Sequence, residues 1–175
     1  LKYRLLKMSL QPQSANSQCL RERMNGMKVK VKLIPTENGN TASLPQYQSE
    51  YSAGADLCAC IDNPVTIAPH ERALIPSGLA IEMESPGFGA FVFARSGLSS
   101  KKGICLANSV GVIDSDYRGE IKVAVLNTSE QEYTIEPFER IAQLVFMPVE
   151  TAEFTMADTL SETVRGDGGF GSTGK

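Results

Sequence analysis

The chain has 175 residues, a formal net charge of −3 at neutral pH and a hydrophobic fraction of 42%. This length fits one domain with a workable core. The net negative charge argues against nucleic-acid or membrane-surface partners, because binding to a polyanion requires a positively charged protein surface. No apolar run approaches the length of a transmembrane helix. A phosphate ligand would therefore have to be met by a few local cations.

Residues 1–26 precede the first regular strand pattern. Their start is basic, but it lacks the long apolar core of a signal peptide. We expect this segment to be a disordered N-terminal extension or an artificial leader, and we assign it no function.

From residue 28 onward, short β-type runs alternate with turn residues. Turn residues recur at about the 8–12-residue spacing that is typical of an all-β sandwich or barrel. The predicted strands cover residues 28–34, 65–67, 73–75, 79–83, 88–93, 120–126 and 141–149. The one predicted helix is a short turn at 99–102. We predict an all-β fold, a single jelly-roll-like domain over residues 27–157, followed by a flexible C-terminal arm over 158–175.

The cysteines and the histidine limit the possible chemistry. Four cysteines, at positions 19, 58, 60 and 105, form no CxxC pair. Such a distribution indicates reduced, buried thiols and a cytoplasmic location, with an organelle or the nucleus as alternatives. The one histidine, His70, lies in a turn pattern and is expected to be solvated. Carboxylates are therefore left to perform any acid–base chemistry.

Two segments in the first half of the domain carry candidate functional residues. Asp56 follows a glycine turn, although an ordinary strand-start aspartate would explain it equally well. Residues 94–103 (ARSGLSSKKG) place hydroxyls, glycines and three cations directly after a hydrophobic strand. Such a turn can direct backbone N–H groups and Arg95 at phosphate oxygens, and the alternative is a solvated basic loop.

Two further segments lie in the second half. Residues 111–119 follow Asn108 and place two carboxylates between glycines. If this segment is extended, Asp114 and Asp116 share a face and repel each other; the alternative is an Asp-rich hairpin loop. In the strand that starts near residue 139, Arg140 and Gln143 would destabilise a buried position unless they are paired. For Arg140 we favour a structural ion pair with Glu139 or Asp116.

The C-terminal residues 165–175 (RGDGGFGSTGK) match two phosphate-loop patterns. Both patterns require a strand before the loop and a helix after it, and neither is predicted here. What remains is a glycine-rich, cationic tail with one aromatic residue, Phe170.

Together, the five segments resemble the five ordered motifs of the trimeric dUTPase family over about residues 28–175. The most specific pieces are ARSGLSSKKG, GVIDSDYRGE, ERIAQLVF and RGDGGFGSTG, in this order and at the family's spacing. The sequence departs from the family at Phe138, where many members have glycine, and at Ala94, where proline is common.

The resemblance implies hydrolysis of dUTP to dUMP and pyrophosphate, which keeps uracil out of DNA and supplies dUMP for thymidylate synthesis. It implies that Asp114 orients and deprotonates the water that attacks the α-phosphorus. It also implies a Mg²⁺ cofactor, which Asp56 holds through the ion's water shell. The residues aligned with phosphate-chain ligands are Arg95, Ser96, Gly97 and Gln143.

The resemblance further implies how the nucleoside is selected. Asn108 and the backbone of a hairpin over about residues 104–118, with Gly111, would read uracil, and Tyr117 would pack under the deoxyribose. The implied assembly is a homotrimer in which one subunit's arm closes another's site. The arm residues concerned are Arg165, Phe170, Gly171, Ser172 and Thr173, with Phe170 stacked on uracil.

Three other functions are weighed against this one. A dCTP deaminase shares the architecture but uses a different arginine-serine motif and a catalytic glutamate. A nucleotide-binding regulator without turnover would not need Asp114, Tyr117 and Phe170 together. A purely structural β-sandwich would leave five ordered motifs to coincidence.

Overall fold

The computed structural model describes residues 26–169, which form eleven β-strands and one short helix. In chain order the strands are β1 (Val29–Leu33), β2 (Ala55–Cys58), β3 (Val65–Ile67), β4 (Arg72–Pro76), β5 (Leu79–Met83), β6 (Phe88–Ala94), β7 (Ile104–Leu106), β8 (Gly111–Ile113), β9 (Lys122–Asn127), β10 (Tyr133–Ile135) and β11 (Arg140–Pro148). Helix α1 (Ser96–Lys102) connects β6 to β7. The predicted all-β class is confirmed.

The strands pair antiparallel in four sheets. The largest has the order β2-β11-β6-β8, a second has the order β4-β9-β7, and β1-β5 and β3-β10 form two-stranded pairs. Buried side chains from both larger sheets meet in one hydrophobic core, for example Leu57 and Leu144 from the first and Ile75 and Val123 from the second. The alternating burial of β9 shows the cause, since every second residue faces this core. The result is a jelly-roll-like domain.

All seven predicted strands are present: β3 and β5 have the predicted bounds, and the other five have ends shifted by one or two residues. The short strands β2, β7, β8 and β10 were not predicted, because three or four residues carry little periodicity and, unlike the equally short β3, these strands do not have a proline on each side. Helix α1 is longer than predicted and begins at Ser96. The predicted turn at His70 is confirmed: this residue has a positive φ of 64° and an exposed side chain.

A fully buried asparagine closes the end of β9. The Asn127 side chain donates from Nδ2 to the carbonyls of Ile67 (3.0 Å) and Gln131 (2.7 Å). Its Oδ1 accepts from the backbone N–H and the hydroxyl of Ser129, at 2.9 and 2.8 Å. One buried amide therefore satisfies polar groups of three residues, which stabilises the fold only while every partner is present.

We expect Asn127→Ala to destabilise the domain by about 3 kcal/mol, because it leaves several buried polar groups without a partner. Urea unfolding of the wild type and the variant measures the difference. Asn38→Ala is the control, since the contact of this exposed residue to Asp62 uses its backbone N–H. A change below about 1 kcal/mol in Asn127→Ala would contradict this account.

After Pro148 the described chain forms neither helix nor strand up to residue 169. Beyond Val149 its large apolar side chains are almost fully exposed, including Phe154 at 95% and Met156 at 105%. The boundary between domain and arm at residue 157 stays a prediction, and the last strand already ends at Pro148. No helix among residues 26–169 has the length and apolar character needed to span a membrane.

Candidate active site

A compact charged cluster lies where β2, β6 and β11 come together. Asp56 of β2 forms an ion pair with Arg95, with 3.1 Å between Oδ1 and Nε, and its Oδ2 accepts a hydrogen bond from Arg140 Nη1, also at 3.1 Å. The Arg95 guanidinium also donates to the Arg140 carbonyl at 3.0 Å. Two guanidinium groups and one carboxylate leave the cluster with a net positive charge, which suits an anionic ligand. We call these three residues the arginine cluster.

The structure corrects the predicted partner of Arg140. An ion pair forms as predicted, but its acceptor is Asp56 rather than Glu139 or Asp116. The reason is the strand register, because Arg140 of β11 lies opposite Cys58 of β2, two residues from Asp56.

A β-bulge puts the polar residues of β11 on one face. Gln143 lies opposite Asp56, and the register shifts between Arg140 and Ala142. In a regular strand, residues three apart point to opposite faces, so Arg140 and Gln143 would be separated. The bulge adds one residue and re-aims the strand. Ile141 and Ala142 are accordingly both buried.

Close packing explains the glycine before Asp56. Gln143 donates from Nε2 to the Ala94 carbonyl at 3.2 Å. A Cβ on Gly54 would lie 2.9 Å from Gln143 Oε1 and 3.2 Å from Val145 Cγ2. Glycine at this position therefore permits the close approach that fixes the Gln143 amide.

The start of α1 lies beside the arginine cluster. Arg95 is the N-cap residue but makes no capping hydrogen bond, because a guanidinium has only donors and cannot accept from a helix N–H. Its side chain is directed to Asp56. Ser96 and Gly97 in the first turn are exposed, and a Cβ on Gly97 would meet open space. The first N–H groups of a helix have no intrahelical acceptor, so these two residues present donors outward.

A second group of predicted residues lines a separate cleft of about 570 Å³, a size typical of small-ligand sites. Among its lining residues are four of the predicted ones: Asn108, Gly111, Asp114 and Tyr117. A Cβ on Gly111 would lie 3.0 Å from Val92 Cβ, so glycine allows β8 to pack on β6.

The turn after β8 is held by local hydrogen bonds. The Tyr117 N–H donates to the Asp114 carbonyl at 3.1 Å, and the Tyr117 hydroxyl donates to the Glu120 carbonyl at 3.0 Å. Arg118 donates to the carbonyls of Ser115 and Tyr117. This turn fixes the Asp114 backbone at the edge of the cleft.

Residues 114–117 are a turn, so the loop alternative holds rather than the extended one, and Asp114 lines the cleft while Asp116 does not. One expectation about this region is wrong. The segment 104–118 is not a hairpin of two paired strands, because β7 pairs with β9 and β8 pairs with β6. The chain instead crosses from one sheet to the other through residues 107–110.

The cleft and the arginine cluster share no residue. Arg165 of the arm is exposed, and its Nε donates to the Gly168 carbonyl at 2.8 Å. The predicted arm residues Phe170, Gly171, Ser172 and Thr173 lie outside the described residues. One described protomer therefore presents a nucleoside-sized cleft and a cationic cluster as two separate surfaces.

Asp56 fits a metal role only through water. Residues 26–169 contain no group of three or more His, Cys, Asp or Glu side chains that could hold an ion. Both Asp56 oxygens are already paired with guanidinium groups. These residues fit an ion such as Mg²⁺, which keeps its waters and relies on substrate phosphates.

Two further side chains lie near the cluster: Cys58, which was expected to be a reduced thiol, and Tyr133, which sequence reasoning missed. Burial, and next the Asp56 charge, raise the pKa of the Cys58 thiol, which favours a neutral group over a nucleophilic thiolate. Tyr133 of β10 donates to Glu139 at 2.5 Å, and burial, with Glu139 as a further cause, raises its pKa to about 12. Tyr133 lies outside the segments that the sequence analysis selected, and only its partner Glu139 belongs to one of them. Cys58 lies just after the segment that contains Asp56.

A jelly-roll-like β domain with a nucleotide-sized cleft and a cationic cluster defines a nucleotide-binding class of enzyme. The dUTPase family model matches residues 40–174 of this chain. The chain belongs to the dUTPase family, whose members hydrolyse dUTP to dUMP and pyrophosphate.

Individual relatives agree with this family. The deoxyuridine 5'-triphosphate nucleotidohydrolase of Desulfitobacterium hafniense is 54% identical over 151 residues, which cover 86% of this chain and 99% of that protein. The Staphylococcus bacteriophage 80alpha dUTPase, solved with dUPNHPP, is 28% identical with a TM-score of 0.75, covering 85% of this chain and 99% of that one. A dUTPase of S. aureus phage phi11, solved with a structural Mg(II) ion, shares the fold at 23% identity and a TM-score of 0.67, covering 77% of this chain and 99% of that one.

Proposed function

We propose that this chain hydrolyses dUTP to dUMP and pyrophosphate, with the cleft as its nucleoside site and the arginine cluster as its phosphate site. The observation that carries this proposal is the placement of Asp114, Asn108 and Tyr117 around one cleft, as expected from the family motifs. The net positive arginine cluster supplies the complementary surface for a triphosphate.

In the proposed reaction Asp114 accepts a proton from water as the water oxygen attacks the α-phosphorus. The bond between the α-phosphorus and the oxygen that bridges to the β-phosphorus breaks, and pyrophosphate leaves with that electron pair. Asp114 is suited to this role because it is exposed at the cleft edge and held there by its turn.

The phosphate chain would be held by donors from two elements. Arg95 brings charge, and the backbone N–H groups of Ser96 and Gly97 point outward at the start of α1. Gln143, on the Asp56 face of β11, supplies an amide. These groups favour the charge that develops on the phosphate oxygens during attack.

We propose Mg²⁺ as the cofactor, held by the substrate phosphates with Asp56 as a partner to its water shell. When bound, the ion would neutralise phosphate charge and polarise the α-phosphoryl group. Its waters would compete with two guanidinium groups for the Asp56 oxygens. This proposal agrees with the Mg(II) ion in the phage phi11 relative.

We propose that nucleoside selection belongs to Asn108, the backbone at Gly111 and the Tyr117 ring. The hydrogen bond from the Tyr117 hydroxyl to the Glu120 carbonyl fixes the ring, so the ring edge would sterically exclude a 2′-hydroxyl. A narrow wall of backbone at the uracil edge would exclude a 5-methyl group.

We further propose a homotrimer in which separate subunits complete each site. The separation of the cleft from the arginine cluster supports this assembly, as does an arm whose apolar side chains are exposed. From a neighbouring subunit, Phe170 would stack on uracil. The arm residues proposed to contact phosphate are Arg165, Gly171, Ser172 and Thr173. The free thiols at positions 58, 60 and 105 support a cytoplasmic location.

The test is release of pyrophosphate from dUTP compared with dTTP, dCTP and UTP, each with and without Mg²⁺. We expect rapid release from dUTP with Mg²⁺ and at least about a hundredfold less from the others, because the backbone at the uracil edge leaves no room for the 5-methyl group of dTTP and does not pair with cytosine, and the Tyr117 ring excludes the 2′-hydroxyl of UTP. Comparable rates on all four would refute the proposed selectivity. Ammonia release from dCTP would indicate a deaminase instead.

A further inference from the structure

Tyr133 and Glu139 form a hydrogen-bonded pair behind the arginine cluster. Tyr133 is half-buried in β10, and its hydroxyl donates to Glu139 Oε1 at 2.5 Å. The other carboxylate oxygen, Oε2, accepts the backbone N–H of Glu136 at 3.0 Å. Both oxygens of Glu139 are therefore engaged, one by a strand and one by the turn that leads into β11.

That turn is strained. Glu139 N–H donates to the Glu136 carbonyl at 3.1 Å, and Phe138 inside the turn has a φ of 63°. A bulky side chain at positive φ is unfavourable and persists only where the surrounding contacts impose it. Hydrogen bonds from Phe138 N–H to the Ala59 carbonyl and from Ala59 N–H to the Glu139 carbonyl, at 2.7 and 2.8 Å, help to do so.

The turn leads directly into the arginine cluster. Arg140 follows Glu139, and its backbone carbonyl accepts the Arg95 guanidinium while its own guanidinium reaches Asp56. A shift of the turn would therefore move one acceptor of Arg95 and one donor to Asp56 together. Of the three residues of the arginine cluster, Arg140 alone directly follows a strained turn.

We propose that Tyr133 and Glu139 are positioning residues for the phosphate chain, because they hold the 136–139 turn so that Arg140 keeps Arg95 and Asp56 in place. This inference rests on the proposed dUTP hydrolysis. Neither residue need touch the substrate. The raised pKa of Tyr133, about 12, keeps its hydroxyl a donor at every pH at which the enzyme would work.

Tyr133→Phe tests the pair, because it removes one hydroxyl and keeps the aromatic packing. We expect the Kd for the non-hydrolysable analogue dUpNHpp to rise about tenfold, as expected when a hydrogen bond to a charged group is lost. The Kd for deoxyuridine, which has no phosphate, should stay the same. Tyr51→Phe is the matched control, since Tyr51 is 89% exposed and outside both surfaces.

Glu139→Ala and the double variant then test whether the two residues act as a unit. We expect the double variant to lose no more dUpNHpp affinity than Glu139→Ala alone, because without the carboxylate the Tyr133 hydroxyl has no group left to hold. Additive losses would overturn the pairing.

Two other results would also overturn the proposal: a Tyr133→Phe variant that binds dUpNHpp like Tyr51→Phe, or one that loses deoxyuridine affinity equally. The second would mean a general structural role. Pyrophosphate release by the wild type distinguishes failure of the positioning role from failure of the proposed function. If the wild type hydrolyses dUTP and Tyr133→Phe binds dUpNHpp normally, only the positioning role is refuted. If the wild type is inactive, both proposals are refuted.

Discussion

Replacing Asp114 by Asn should lower kcat for dUTP about a thousandfold, because a positioned general base contributes on that order and an amide cannot accept the proton. Asn keeps the size of the side chain, and the turn that holds residue 114 uses its backbone carbonyl. We therefore expect the cleft to keep its shape. Steady-state release of pyrophosphate measures the loss.

Asp116→Asn is the matched control for this variant. It removes the same charge from the same turn, but Asp116 is exposed and does not line the cleft. Its kcat should stay close to that of the wild type. The Kd of Asp114→Asn for dUpNHpp should also change little. Equal losses in binding and turnover would instead mean that Asp114 is mainly structural.

Deleting residues 165–175 should leave a folded protein that hydrolyses dUTP at least about a hundredfold more slowly. In the proposed enzyme the arm supplies phosphate contacts and excludes water only when it closes over bound substrate. The described arm adds little to the core, since Leu160 and Val164 just before the deletion are 89% and 111% exposed. Thermal unfolding and pyrophosphate release measure the two effects separately. An unfolded product would show that the tail is part of the fold.

A mixing experiment tests whether the arm acts on a neighbouring subunit. Asp114→Asn chains carry intact arms, and chains that lack residues 165–175 carry an intact Asp114. Refolded together, they should form mixed trimers in which some sites receive both, so activity should exceed the sum of the two parents. Activity equal to that sum would mean that each arm closes its own subunit's site. Refolding the deletion alone is the control.

Much of the fold could be predicted because its signals are local. Residues that are adjacent in sequence are sufficient to indicate the alternation in β1 and β9 and the apolar run of β11. They also indicate the turn at His70 and the all-β class. The same is true of the motif segments, whose order and spacing were sufficient to indicate the family. The choice of Asp114 came from the resemblance to the family, since Asp116 lies between the same two glycines and the residues alone do not separate the two carboxylates.

The arrangement of the site depended on contacts between distant parts of the chain. Asp56 and Arg140 are far apart in sequence, and only the β2–β11 register makes them partners. The bulge that places Arg140 and Gln143 on one face follows from pairing with that strand, so a period-two pattern could not reveal it. The same holds for the Tyr133–Glu139 contact, which joins β10 to the turn before β11.

The sequence by itself thus determined which residues are available for chemistry: two carboxylates between glycines, a cationic turn and a glycine-rich tail. The tertiary structure decided which of them meet. It paired Asp56 with two arginines instead of leaving it a free carboxylate, and it sent β7 and β8 to different sheets instead of one hairpin. The physical reason is that strand partners and registers are set by burial of the whole core, which no single segment encodes.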